Sequence, residues 1–143
     1  MDPDTLLTWQ VAPPHGNFTS WKQAVDYCDG LRLAGHGDWR LPSISELRTL
    51  IEGCEATVAG GECIVSDDCT EDACQTAACF SCRFGEGPGG GCYSRPGLLE
   101  PCEHYWSATR VPDNMDRAWA IGFAGGFIYK PRIYYVFHAR CVR

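Results

Sequence analysis

At 143 residues and a net charge of −6, the chain has the length of one domain able to bury its own core, so a single domain over 1–143 is expected. No apolar run reaches the ~20 residues that a membrane-spanning helix needs, which excludes direct membrane insertion of that kind, and the acidity argues against nucleic acid as a partner. Ten cysteines point to an oxidising compartment and a disulfide-supported fold.

Leu6-Leu7-Thr8-Trp9-Gln10 is a short strand candidate, broken by the loop Pro13-Pro14-His15-Gly16-Asn17. Ser20 with Gln23 makes a capping box at the start of a first helix. Trp21, Ala24, Val25, Cys28 and Leu31 follow at helical spacing and predict a core-facing stripe, with Gly35-His36-Gly37 as its end. Pro42 then biases Leu41 away from helical angles, and Ser43 with Glu46 makes a second capping box. Ile44, Leu47, Leu50 and Ile51 fall on one side of this second helix, and Gly53 can take the left-handed angle that stops it.

The texture changes over residues 54–102, which hold Cys54, Cys63, Cys69, Cys74, Cys79, Cys82, Cys92 and Cys102, a Gly-rich run at 85–91 and few large apolar residues. Residues 52–102 carry nine acids against two bases. Such a segment cannot make its own core, and it reads as an insertion held by its own crosslinks. Its eight cysteines allow 105 pairings, among which spacing does not choose. Zinc is the alternative at Cys69, Cys74, Cys79 and Cys82, but thiolate sites usually use two close pairs and only Cys79-Phe80-Ser81-Cys82 is one. Nothing around Cys79 and Cys82 suggests thiol exchange.

Tyr105–Thr109 resumes strand character, and Val111 to Asp116 is a turn in which Asp113, Asn114 and Asp116 bond their own backbone. Residues 118–123 and 127–129 predict a hairpin around Ala124-Gly125-Gly126, and Ile133 to Val142 is rich in β-branched and aromatic residues. Residues 103–143 carry three acids against six bases, with His104 and His138 besides. Tyr129, Lys130, Arg132, Tyr134, Tyr135 and His138 therefore form the candidate ligand surface, with Arg110 and Arg117 near. Arg and Lys pair with sulfate or carboxylate, and tyrosine gives broad contact at low entropy cost. If Cys141 points inward, alternation sends Phe137 and Ala139 inward with it and Tyr134, His138 and Arg140 outward. The competing reading makes the tyrosines a sheet face and the bases solvated charges. The five tryptophans read as core anchors.

Trp39-Arg40-Leu41-Pro42-Ser43 followed by Glu46-Leu47 resembles the signature of bacterial C-type-lectin-like domains, in particular the family named for the C-terminal domain of collagen-like adhesins, the Lcl C-terminal family. Leu7–Gln10, Ser20-Trp21, Ala24 and Cys28, Tyr105–Thr109, Ala118-Trp119, Phe123, Lys130 and Arg140–Arg143 match in order. The resemblance implies an α+β, C-type-lectin-like fold, two helices packed on small antiparallel sheets, with residues 54–102 in the place of its long loop. It also implies a bond between Cys28 and Cys141. The calcium motifs of sugar-binding relatives are missing: Trp119 is followed by Ala120 and Ile121, and Pro112-Asp113-Asn114 is a partial echo. No cofactor is expected.

Met1-Asp2-Pro3-Asp4 has neither the basic start nor the apolar segment of a secretion signal, so the expectation is a segment whose export signal was trimmed from an extracellular or surface precursor. The resemblance and the cysteines together point to a non-catalytic recognition or adhesion domain for a glycan, anionic polysaccharide included, or a cell-surface protein. A diversified display scaffold is the variant. An enzyme is the other class, because Arg40–Ser43 with Glu46 also resembles an element of the formylglycine-generating enzyme superfamily; those enzymes are longer, and no acid pair or nucleophile set stands out here. No heptad predicts an oligomer.

Overall fold

A computed structural model describes residues 1–11 and 20–143. The expected loop at 13–17 lies outside the described residues. Among the described residues the chain forms a small α+β structure of two helices, a three-stranded antiparallel sheet and five disulfides.

Helix α1 spans Trp21–Gly30, with the Ser20 amide donating to Gln23 Oε1 at 3.2 Å. It ends earlier than the glycine run at 35–37 suggested. Leu31 is already extended, and Leu33 and His36 exchange both backbone hydrogen bonds across a two-residue turn with positive φ at Ala34 and Gly35. Helix α2, Ile44–Arg48, is one turn set by its cap: the Ser43 amide donates to Glu46 Oε1 at 2.9 Å and the Glu46 amide to Ser43 Oγ at 3.2 Å. Arg40 holds Glu46 with two nitrogens, at 2.6 and 2.7 Å, and burial plus this guanidinium work against each other, the guanidinium winning and holding the Glu46 carboxyl below its usual range.

Strands β1 (His104–Arg110), β2 (Ala118–Gly122) and β3 (Phe127–Tyr129) pair in chain order, antiparallel throughout. The register sets Tyr105 beside Ile121 and Ile121 beside Ile128, while Trp106, Ala120 and Tyr129 form the adjacent row. Two cores follow from this alternation. Tyr105, Trp119, Ile121 and Ile128 pack with Ile44, Leu47, Leu50 and Ile51 on one side. Trp106, Ala118 and Ala120 pack with Ala24, Cys28, Trp39, Leu41 and Cys141 on the other. Gly122 is required because the Phe127 ring lies over it: an added Cβ would stand 2.4 Å from the ring edge.

The termini close the second core. Cys28 and Cys141 are bonded across 113 residues with Cα atoms 5.4 Å apart. Val142 bridges Trp9 on one side and Arg40 on the other, so the two chain ends and the entry to α2 form a small ladder of their own. The last run is not the continuous strand its composition suggests. It turns at Arg132–Tyr135, makes a parallel bridge from His138 to Tyr105, and then enters the ladder. Alternation therefore fails there: His138, Ala139, Arg140, Cys141 and Val142 are all buried, covered from both sides.

Four disulfides lie within 54–102: Cys54–Cys82, Cys63–Cys79, Cys69–Cys74 and Cys92–Cys102. The segment does not hang off the frame as its composition suggested. Cys54, Cys63, Val65, Cys79, Tyr93 and Leu99 belong to the same core as Ile44 and Trp119. Arg48, 5 % exposed, enters the segment and donates to the carbonyls of Thr57 and Val65 at 2.7 Å and of Val58 at 2.8 Å. Among the described residues no helix is long and apolar enough to cross a membrane.

Candidate functional site

The C-terminal edge of β3 faces the insertion across a cleft of about 490 Å³ lined by Asp72, Gln75, Phe80, Asn114, Arg117, Tyr129, Lys130, Pro131 and Tyr135. Four segments build it. β3 delivers Tyr129 and, just past its end, Lys130 and Pro131, and the turn at Arg132–Tyr135 delivers Tyr135. The turn between β1 and β2 delivers Asn114 and Arg117, fixed by the Asn114 amide on the Val111 carbonyl and the Arg117 amide on the Asn114 carbonyl, each at 3.0 Å. The insertion delivers a short 3-10 turn at Asp72–Cys74 and a second at Ala77–Phe80.

The insertion is pinned here by covalent and polar contacts. The Cys69–Cys74 bond closes a five-residue separation around Asp72, and Cys63–Cys79 holds the turn that carries Phe80. Trp119 Nε1 donates to the Thr70 carbonyl at 2.8 Å, and the Asp72 amide donates to Asp113 Oδ1 at 2.8 Å. Asp113 is thus more than a residue of its own turn. Phe80 stacks on Phe127 with centroids 5.8 Å apart.

At the cleft floor the Lys130 ammonium lies 2.7 Å from Asp72 Oδ1, and Arg117 Nη1 donates to the Lys130 carbonyl at 2.8 Å. Gln75 Oε1 is shielded from solvent and has no hydrogen-bond partner among the described residues. Behind the wall, Tyr129 Oη lies 2.6 Å from His104 Nδ1, and the His104 ring stacks on Phe137 at 5.0 Å. Burial lowers the His104 pKa and raises that of Tyr129, so this pair is neutral near pH 7.

The six residues named from sequence divide. Tyr129, Lys130 and Tyr135 line the cleft. Tyr134 stands beside its mouth with its ring against Tyr135 at 5.3 Å, and Arg132 is exposed next to it, its backbone bridged to Arg117. His138 does not belong to this surface: it is 1 % exposed, behind β1, with its ring 5.4 Å from that of Tyr105. Arg110 lies over the Trp21 ring instead of the cleft, whereas Arg117 is in it. Asp72, Gln75 and Phe80 were not read as site residues. The signal that bore on them was the charge contrast between the acidic insertion and the basic C-terminal third. The four cysteines of the zinc alternative, Cys69, Cys74, Cys79 and Cys82, are all in disulfides. Cys69, Glu71 and Cys74 do offer atoms within 4.8 Å of one another, but both sulfurs are taken up in their mutual bond.

A family model for the Lcl C-terminal domain matches residues 1–143. The chain belongs to the Lcl C-terminal domain family. A search of the curated proteins found no match. In this Lcl C-terminal domain the stretch that carried the resemblance, Trp39 to Leu47, holds together both cores: Trp39 and Leu41 enter one, Ile44 and Leu47 the other.

Proposed function

We propose that this Lcl C-terminal domain is a non-catalytic recognition module of an exported, adhesin-like protein, built on a C-type-lectin-like scaffold. Its ligand is a glycan, with anionic polysaccharide the favoured class, or a cell-surface protein of the same chemistry. The observation that carries the reading is the cleft itself. Rings of Phe80, Tyr129 and Tyr135 supply flat apolar faces, while Lys130, Arg117, Gln75 and Asn114 supply polar groups between them. Five of the nine lining residues are polar or charged, which suits a hydrated, charged ligand, and about 490 Å³ falls within the ~300–1,000 Å³ that ligand sites span. Five disulfides favour an extracellular setting. The C-type-lectin-like scaffold is supported by the family match, the bond from α1 to the closing segment, and the long crosslinked insertion. Against an oxidase of the formylglycine-generating type, all ten cysteines are paired, and Asp72 is the carboxylate among the lining residues.

A second reading, a display scaffold, is favoured by the Arg132–Val136 turn. Its backbone is tied by the Ile133 amide to the Asp116 carbonyl at 2.8 Å and by the Trp21 amide to the Ile133 carbonyl at 3.0 Å, while Tyr134, Tyr135 and Val136 are 63, 48 and 51 % exposed. A glycan array at low and physiological salt, followed by calorimetry, tests the first reading. Acidic glycans should bind, and Tyr135→Ala should weaken them by roughly tenfold, as loss of a central aromatic contact does. A blank array, or binding indifferent to Tyr135→Ala, overturns it.

A further inference from the structure

Asp72 and Lys130 are unequally placed in their ion pair. The Lys130 side chain is 16 % exposed and the Asp72 side chain 50 %, so the ammonium sits below and the carboxylate closes over it from the solvent side. The backbone of Asp72 is held independently of that carboxylate. Its amide bonds Asp113 Oδ1, its carbonyl faces Lys130 Nζ at 3.3 Å, and the Cys69–Cys74 bond fixes the loop on either side. The carboxylate can leave without moving the loop.

We infer that the Asp72 carboxylate is an internal stand-in for the ligand's acid group, covering Lys130 until a sulfate or carboxylate displaces it. The inference rests on the recognition reading above and adds its regulation: the cleft admits anions by exchange, one acid group for another. A sulfate ester carries three free oxygens to the one Asp72 oxygen now in contact with Lys130, and Arg117 lines the same cleft. The insertion, residues 54–102, has eight acids and two bases, and one of those acids, Asp72, lies in the cleft with Arg117 and Lys130.

The chain has two lysines, Lys22 and Lys130, and Lys22 pairs with Asp26 on the far exposed face of α1. Isotope labelling of lysine therefore gives two ammonium signals in an NMR spectrum, one of them an internal control. On titration with inorganic sulfate, the Lys130 signal of Asp72→Asn should reach half-saturation at a concentration at least fivefold below that of the wild type, with Lys22 alike in both. Asp72→Ala should do the same. Equal half-saturation in wild type and both variants overturns the inference. A heparin tetrasaccharide separates this from the recognition reading. Tighter binding by Asp72→Asn with a steeper salt dependence supports both; no tetrasaccharide binding by any form, with the sulfate difference intact, contradicts the recognition reading and leaves the exchange standing.

Discussion

The indole of Trp119, the second residue of β2, donates through Nε1 to the carbonyl of Thr70, 49 residues away, at 2.8 Å. This is how the sheet grips the insertion. The same tryptophan fills the larger core, so packing of the sheet and docking of the cleft wall depend on one side chain.

Trp119→Phe removes the donor, leaves the Thr70 carbonyl to find another partner and opens space in a fully buried site. The expected loss is about 2–4 kcal/mol by chemical denaturation. Amide exchange should rise first over residues 70–74, beside the lost bond.

Arg48 is a buried cation whose described partners are carbonyls of the insertion, Thr57, Val58 and Val65 among them. Arg48→Met should cost about 3–5 kcal/mol, because buried acceptors are left unpaired. Arg48→Lys should recover little of it, since one ammonium cannot reach carbonyls that the planar fork reaches together. Urea midpoints of the three proteins check the order.

Acid should destabilise the fold. Burial lowers the pKa of both His104 and His138 from the ordinary 6.5. The unfolded chain therefore binds protons that the folded chain refuses. Stability is fully present above about pH 6.5 and is lost as pH falls below that value toward the lowered folded ones. Thermal melts between pH 8 and 5 should show a falling midpoint through that window, and His104→Phe should remove part of the fall while leaving the share due to His138.

Ala34 sits at φ 54° in the two-residue turn before Trp39, where glycine follows it at 78°. A side chain at positive φ is strained, so Ala34→Gly should stabilise by about 0.5–1 kcal/mol. A small rise in melting temperature, with ligand binding unchanged, is the expected result.

What was legible in the sequence is what depends on neighbours in the chain. Both capping boxes are local, and Ser20, Gln23, Ser43 and Glu46 stand where their spacing put them. The β2–β3 hairpin was legible because glycine separates two apolar runs. His138 was misplaced because alternation assumes an unbroken strand, and the turn at Arg132–Tyr135 and the two-sided cover beyond it remove that premise. The insertion's third of the cleft lining was hidden for a different reason. Where Asp72, Gln75 and Phe80 lie depends on which cysteines join, and the nested Cys54–Cys82 and Cys63–Cys79 bonds are long-range choices that spacing does not dictate.

The cleft exists only if the insertion is stitched in this one way. Digestion of the unreduced protein followed by peptide mass mapping tests that most directly. The map should show Cys28 with Cys141, Cys54 with Cys82, Cys63 with Cys79, Cys69 with Cys74, and Cys92 with Cys102. Finding Cys69 or Cys74 free, or joined to any other cysteine, would remove Asp72 from its place over Lys130 and contradict the site described.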